Sequence, residues 1–305
     1  MNLIKSIPIP IFGLILALIS LGNLIQDISP TFRYLFCLIG VIFIALLVLK
    51  VILYPDSVRN DLSNPVILSS SGTFSMALMI LSTYLTRFMP SFAYTIWIIG
   101  LALHILLMIY FTYRFIIRDF NINTYYPSYW IVFVGITMGA ITAHVHGLKE
   151  LGFIFFCIGF ISMLITLPLM IYRYIKHNDI PDMNKPLICI YTALFSILIV
   201  GYINSTSFVS IEFLEVIYII AFIAYLFSLY KFIEYRHLDF YPSFSAFTFP
   251  FVISAIATKQ TSAILKISLL NNISTIETAI AILLVVYILI RYLIFFKNSK
   301  KEITN

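Results

Sequence analysis

The residues of this chain that could act on a dissolved species are small and hydroxyl-bearing, and they cluster inside apolar runs. One run carries Ser69, Ser70, Ser71, Gly72, Thr73 and Ser75. A second carries Gly135, Thr137, Gly139, Ala140 and Thr142, and a third Ser243, Ser245, Ala246, Thr248, Ser254, Ala255, Ala257 and Thr258. Small and hydroxyl side chains let backbones approach or face water, whereas lipid tails favour large apolar ones. A cation pathway usually shows a ring of carboxylates, and a proton-driven carrier an acidic residue within the membrane. These runs hold no Asp or Glu, so the chemistry they suit is weak-field contact with an anion. In the third run, Phe244-Ser-Ala-Phe-Thr-Phe-Pro-Phe251, Pro250 removes a backbone hydrogen bond and gives the preceding ring, Phe249, a direction that a straight helix would not. With 28 phenylalanines in the chain, packing is the first reading of any one of them. Phe244, Phe247 and Phe251 keep it, because the helical step of about 100° takes them off the Phe249 face.

Other polar candidates carry less. His144 and His146 are two apart and leave a helix in different directions, so they do not form a metal pair on a regular helix. His104 lies inside an apolar run and reads as a helix contact. Lys259 ends the third run and reads as a snorkelling interfacial lysine or an attractor of anions at a mouth. Ser274-Thr-Ile-Glu277 has the form of a capping box opening the last helix. The sequence contains no nucleophile–base pair, Gly-rich phosphate loop or metal-ligand cluster. It is therefore expected to be no enzyme and to need no cofactor and no metal; an intramembrane enzyme is the alternative from a different class.

The elements that must position these runs repeat. Pro10, Pro65, Pro127, Pro186 and Pro242 open apolar segments at spacings of 55, 62, 59 and 56 residues. Each segment is followed by a short polar turn and a greasier segment. A period of roughly 58 residues suits one hairpin of two membrane helices. The expectation is an all-α integral membrane protein, a single transmembrane domain over residues 1–305. Its ten helices are expected near 8–26, 33–54, 65–86, 91–113, 127–146, 149–175, 186–204, 211–233, 242–262 and 275–296. Composition agrees: 61% of residues are hydrophobic and 10% charged, and the mean hydropathy is +1.03, too apolar for a soluble domain. Cys37, Cys157 and Cys189 fall inside apolar runs and read as small hydrophobes. The first apolar run, after Lys5, is expected to be a retained helix rather than a cleaved signal.

Of the 19 Lys and Arg, 14 lie on the face that carries both ends of the chain and 5 on the other. The positive-inside bias puts both termini in the cytoplasm. The odd-numbered segments hold the small and hydroxyl residues and the even ones are uniformly greasy, so the odd helices are expected to form an inner ring around a central pore. Proline at the start of each odd helix suits the first turn, and helix N-termini gathered on one side favour an anion there.

The run Ala246-Phe247-Thr248-Phe249-Pro250, with small residues through Ala257 and Thr258, resembles the penultimate helix of the tellurite-resistance/dicarboxylate transporter family. That family includes bacterial tellurite-resistance proteins, plant slow anion channels, yeast sulfite pumps and fungal malate permeases. Pro8-Ile-Pro10-Ile-Phe-Gly13, Asn64-Pro65, Tyr126-Pro127-Ser128-Tyr129 and Leu167-Pro168 resemble other helices of the family, so the likeness extends over most of the chain. It implies five hairpins around a quasi-fivefold pore, commonly in a homotrimer, with the Phe249 ring as gate and Pro250 as the kink behind it. Ser71, Thr137, Ala246 and Ser254 are candidate pore-lining residues. The implied function is conduction of small anions of the chloride, nitrate, sulfite or dicarboxylate class across a cell membrane, with the lipid bilayer as the other partner and no nucleic acid. A proton-coupled dicarboxylate carrier, or a sulfite or tellurite exporter on the same fold, is the alternative.

Overall fold

In the computed structural model of the chain, residues 3–177 and 179–304 are described, and among them there are helices and no strands. The helices that matter for the site are α1 (Phe12–Leu24), α2 (Pro30–Leu53), α3 (Pro65–Leu85), α4 (Pro90–Phe111) and α5, which comes in two pieces (Tyr129–Phe133 and Thr137–Ala143). They continue as α6 (Lys149–Lys176), α7 (Ile190–Ser205), α8 (Ile211–Tyr235), α9 (Phe249–Leu265) and α10 (Ser268–Thr304). Proline occupies the first turn of α2, α3 and α4, where its missing N–H costs nothing. Asn64 caps α3 by accepting from the Val66 and Ile67 amides, and Ser210 caps α8 by accepting from Phe213.

Among the described residues, seven helices are long and apolar enough to cross a membrane by length and composition. Of the ten expected spans, the first, fifth and ninth are short or broken. A 3₁₀ turn, Ile9–Ile11, precedes α1, and α5 is interrupted between Phe133 and Thr137. Before α9 a 3₁₀ segment, Pro242–Phe247, ends at Thr248, whose φ of −115° and ψ of −79° depart from the helix. Pro250 consequently sits in the first turn of α9, where it starts a helix instead of kinking one from inside. The bend belongs to Thr248, and its hydroxyl donates to the Ser245 carbonyl across the break.

The second correction concerns α10. It begins at Ser268, seven residues before the expected start, so Ser274 and Glu277 are interior residues and no capping box forms. Lys266, in the left-handed region at φ 56°, ends α9 and turns the chain directly into α10.

Each odd helix packs against the even helix that follows it, as the hairpin period requires. In addition α1 touches α3, α3 touches both pieces of α5, the second piece of α5 touches α7, α7 touches α9, and α9 touches α1. Burial follows the same division: 89% of the span through α7 is buried, against 28% of the spans through α4, α6 and α10. α1 is enclosed on every side, with Leu14 through Leu21 inaccessible. Most of the exposed large hydrophobics, among them Ile52, Leu106, Ile165, Ile223 and Leu283, lie on the even helices, where the solvent must be hydrocarbon.

Close approach of the inner helices depends on glycine. Thr137 is wedged between Gly159 of α6 and Gly201 of α7; a Cβ at either glycine would run into its side chain. Gly201→Val is expected to destabilise the protein by about 1–3 kcal/mol, the usual cost of overpacking. Thermal denaturation in detergent would read this as a lowered midpoint, and an unchanged midpoint would show that the wedge is not tight.

Candidate functional site

Three cavities follow one another along the odd helices. The largest of the three, about 860 Å³, is lined by the starts of four of those segments, including Pro10, Val66, Ser70, Leu187, Pro242 and Ser245, together with Lys5, Lys50 and Asp61. Pro10, Ser70, Leu187 and Ser245 also line the second cavity, so the two adjoin. The second holds only about 60 Å³, room for a few waters. The third, about 490 Å³, is lined by residues further along the same helices, among them Ile80, Met138, Val200, Ile253 and Lys259. It shares no lining residue with the second.

The narrow middle cavity receives residues from all five odd segments: Gly13, Thr73, Trp130, Ile197, Ala246 and Phe249 are examples. Its only hydroxyls are Ser70, Thr73 and Ser245, and no charged residue lines it. The Ser70 hydroxyl donates to the Val66 carbonyl at 2.7 Å, and Thr73 to Ser70 at 2.7 Å, so both protons are already engaged. What faces the cavity from these groups is oxygen and methyl, within an otherwise apolar wall.

The helix breaks bring backbone to this cavity. The interruption of α5 places Val134 and Gly135 in its wall, and a Cβ at Gly135 would meet the Ile131 carbonyl, the His104 ring and the Met76 sulfur. Ile190 of α7 and Phe249 of α9 both line it, but α7 continues the 3₁₀ turns Asp182–Cys189, whereas α9 starts afresh after the break at Thr248. The starts of α9 and of the second piece of α5 therefore lie near the cavity instead of at the membrane face, with their partial positive charge nearby.

Phe249 lines the cavity and is 6% exposed. Its sequence neighbours behave differently. Phe244 pairs with Phe240 at 5.5 Å, Phe247 with Phe232 at 5.2 Å, and Phe251 with Tyr225 at 5.7 Å between ring centroids. Among the described residues Phe249 makes no ring–ring contact. Pro250 and Ala246 also line the cavity.

Ser71, Thr137 and Ser254 do not line it. Ser71 faces an outer groove with Phe74, Leu103 and Leu107, its hydroxyl donating to the Leu68 carbonyl at 2.7 Å. Thr137 is the wedge between glycines, and Ser254 turns toward α10. Small polar character marked these helices correctly as internal, but at three of the positions it serves packing between helices.

Of these three cavities only the two larger carry charge, and there Lys50 and Lys259 are ion-paired whereas Lys5 and Arg33 form no ion pair among the described residues. Lys50, 2% exposed, donates to Asp61 at 3.1 Å and to the Ile7 carbonyl at 2.7 Å. At the other end Lys259 meets Asp27 at 2.8 Å; its hydrogen bond and charge hold the Asp27 carboxyl below the usual carboxylate range. Arg33 lies over the Tyr84 ring at 4.8 Å. His144 lines the same outer cavity, while His146 packs on Trp97 and lies 3.0 Å from the Ser82 hydroxyl, so the two histidines part as their spacing predicts. His104 ties α4 to its neighbours, with Nε2 3.1 Å from the Val132 carbonyl and Nδ1 2.7 Å from the Ser75 hydroxyl. A carbonyl only accepts, so Nε2 carries a proton.

One residue was missed. Glu277 of α10 is 1% exposed, and its Oε2 accepts from Thr258 at 2.8 Å and Ser254 at 3.3 Å, both on α9. Its Oε1 has no hydrogen-bond partner. The capping-box pattern concealed it; a lone acid inside an apolar helix that starts earlier would have flagged it.

Apolar helices enclosing a narrow uncharged cavity between two wider, polar ones make a multi-pass membrane protein of the channel or transporter class. The chain belongs to the voltage-dependent anion channel family, whose model matches residues 6–293, in agreement with the resemblance carried by the run at Phe249. Among its relatives are two proteins of Methanocaldococcus jannaschii, each described as an uncharacterized transporter. One is 23% identical over 223 residues, covering 68% of this chain and 65% of the relative, just under two thirds of its length. The other is 22% identical over 276 residues, covering 82% and 79%.

With the three native cysteines replaced, single cysteines at Ser70, Ala193 and Ala246 are expected to react with small water-soluble thiol reagents applied from the side of the larger cavity. Cysteines at Ser71, Thr137 and Ser254 are expected to stay protected. Equal labelling of both sets would mean that the middle cavity is not the aqueous path.

Proposed function

We propose that the chain is an anion channel in which five hairpins, ten membrane helices in all, place the odd helices in a ring around a central pore. The side chain of Phe249 is the gate of that pore. The observation that carries this reading is the cavity of about 60 Å³ lined by all five odd segments, with Phe249 in its wall and free of aromatic partners. A hydrated anion does not fit such a space. It must shed water against apolar walls, and the ring must move aside. The closed circuit of contacts α1–α3–α5–α7–α9–α1 supports the ring. The uncharged lining and the helix N-termini beside it support an anion, since neither offers a cation a counter-charge. The charge distribution supports cytoplasmic termini in a cell membrane, and the family resemblance supports a homotrimer with one pore per subunit. Selection among chloride, nitrate, sulfite and dicarboxylates would then follow dehydration cost, and tellurite resistance would be one consequence of such a pore.

Truncating Phe249 tests the gate. In purified protein reconstituted in liposomes, Phe249→Ala is expected to raise anion flux by at least about tenfold, with Phe249→Leu intermediate. A phenylalanine in a packed core costs about 3–5 kcal/mol when cut to alanine; Phe249→Ala should cost much less, and Phe247→Ala, which removes the ring held by Phe232, should cost that amount without opening the pore. Early melting of Phe249→Ala with unchanged flux would make Phe249 a packing residue.

A further inference from the structure

α10 is largely exposed, yet Glu277 turns inward from it to a site closed by three helices. On α9, Thr258 and Ser254 donate to Oε2. On α8, the Tyr218 hydroxyl donates to Thr258 at 3.3 Å, so a chain Tyr218–Thr258–Glu277 links α8, α9 and α10. The Tyr225 hydroxyl, also from α8, is buried without a partner, as is Glu277 Oε1. The titratable groups facing Glu277 are thus Tyr218 and Tyr225; no ion pair to it forms among the described residues. Lys259, next to Thr258 in sequence, turns to Asp27. Arg291, on α10 itself, lies over Phe244 and bonds to Tyr287. α1, which also packs on α10, carries no titratable residue.

We propose that Glu277 is a proton-binding residue set behind the gate helix, and that its charge state decides whether α9 holds Phe249 in the central cavity. The inference rests on the pore reading above. Ser254 and Thr258 follow Phe249 on the same continuous helix, so a shift at their end carries the ring with it. The packing seen suits the neutral acid: two hydroxyls serve one oxygen, and the other can carry the proton. When that proton leaves to bulk water, a full charge remains with no cation beside it, and such a charge is costly unless water or new donors reach it. Either relief requires the contact among α8, α9 and α10 around Glu277 to rearrange. Glu277 lines none of the three cavities along the pore, so its proton does not travel with the anion; it biases the gate.

The test uses the full chain in liposomes, loaded with chloride or nitrate, over a range from about pH 5 to about pH 9. Wild-type flux is expected to rise about tenfold with pH, the response of a two-state gate biased by one charge. Glu277→Gln is expected to stay at the low-pH level throughout, and the Phe249→Ala/Glu277→Gln double variant to be high and pH-independent. Thr258→Val, which removes a donor but keeps the acid, should move the midpoint toward higher pH; it decides the matter if Glu277→Gln fails to fold. The same pH profile in wild type and Glu277→Gln, or an unmoved midpoint in Thr258→Val, overturns the proposal. Protons moving in fixed ratio with the anion, seen as a reversal potential that follows a pH gradient, overturn it in favour of coupled transport. If Phe249→Ala passes no anion at any pH, the pore reading itself fails.

Discussion

A backbone amide or carbonyl inside a membrane must find a partner within the protein, because hydrocarbon offers none, and an unpaired group costs several kcal/mol. Most of this chain obeys that constraint by staying helical. The even helices run unbroken for 22 residues or more in regular or nearly regular turns. Breaks occur where the polypeptide is surrounded by other polypeptide: before α9 and within α5. There the freed groups are taken up locally, by tighter 3₁₀ turns and by the hydroxyl of Thr248 on the Ser245 carbonyl. The architecture around the cavity thus follows from a solvation rule. Irregular backbone is permitted only inside, and inside is where a solute would pass.

The same rule explains why the central cavity carries no charge while both flanking cavities do. An ionised side chain facing about 60 Å³ of apolar space would have neither water nor a partner. At the wider ends Lys50 meets Asp61 and Lys259 meets Asp27, each within 3.1 Å. These pairs cancel much of the field that their members would cast along the axis, while Lys5 and Arg33, which form no ion pair among the described residues, leave a positive excess at each end of a middle that offers only helix N-termini and hydroxyl oxygens. A weak, fixed field of this kind ranks ions chiefly by how readily they lose water.

Much of this was legible in the chain. The proline period marked the start of each small-residue segment, and each of those segments packs against the helix that follows it. The contrast between small-residue and greasy segments separated enclosed helices from exposed ones, because lipid and protein neighbours ask for different side chains. Two things were not legible. Which hydroxyl faces a cavity depends on helix rotation, and a 3₁₀ turn or a break resets that rotation; Ser71, Thr137 and Ser254 lie outside the lining of the middle cavity, while Ala246, next to the break, lies in it. The start of α10 was hidden because Ser268–Asn272 looks like a polar turn, and with it the burial of Glu277. A residue nine positions into a helix lies roughly 13 Å from its first turn, too deep for a cap.

Aromatic packing gives the remaining step. Phe244, Phe247 and Phe251 are each anchored edge-on by another ring, on Phe240, Phe232 and Tyr225 respectively. Such contacts fix a side chain in one rotamer and contribute beyond area burial. They immobilise both sides of the break at Thr248 and so define where the intervening ring must point. Phe249 lacks a comparable anchor and borders empty volume, so its rotamers differ less in energy than those of its neighbours. A gate needs a frame that stays in place and one side chain that does not. For the gate proposed above, the alternation of held and unheld rings along Phe244–Phe251 would supply both within about two turns of chain, and the hydrogen bonds from Ser254 and Thr258 to Glu277 connect that frame to the outer helix.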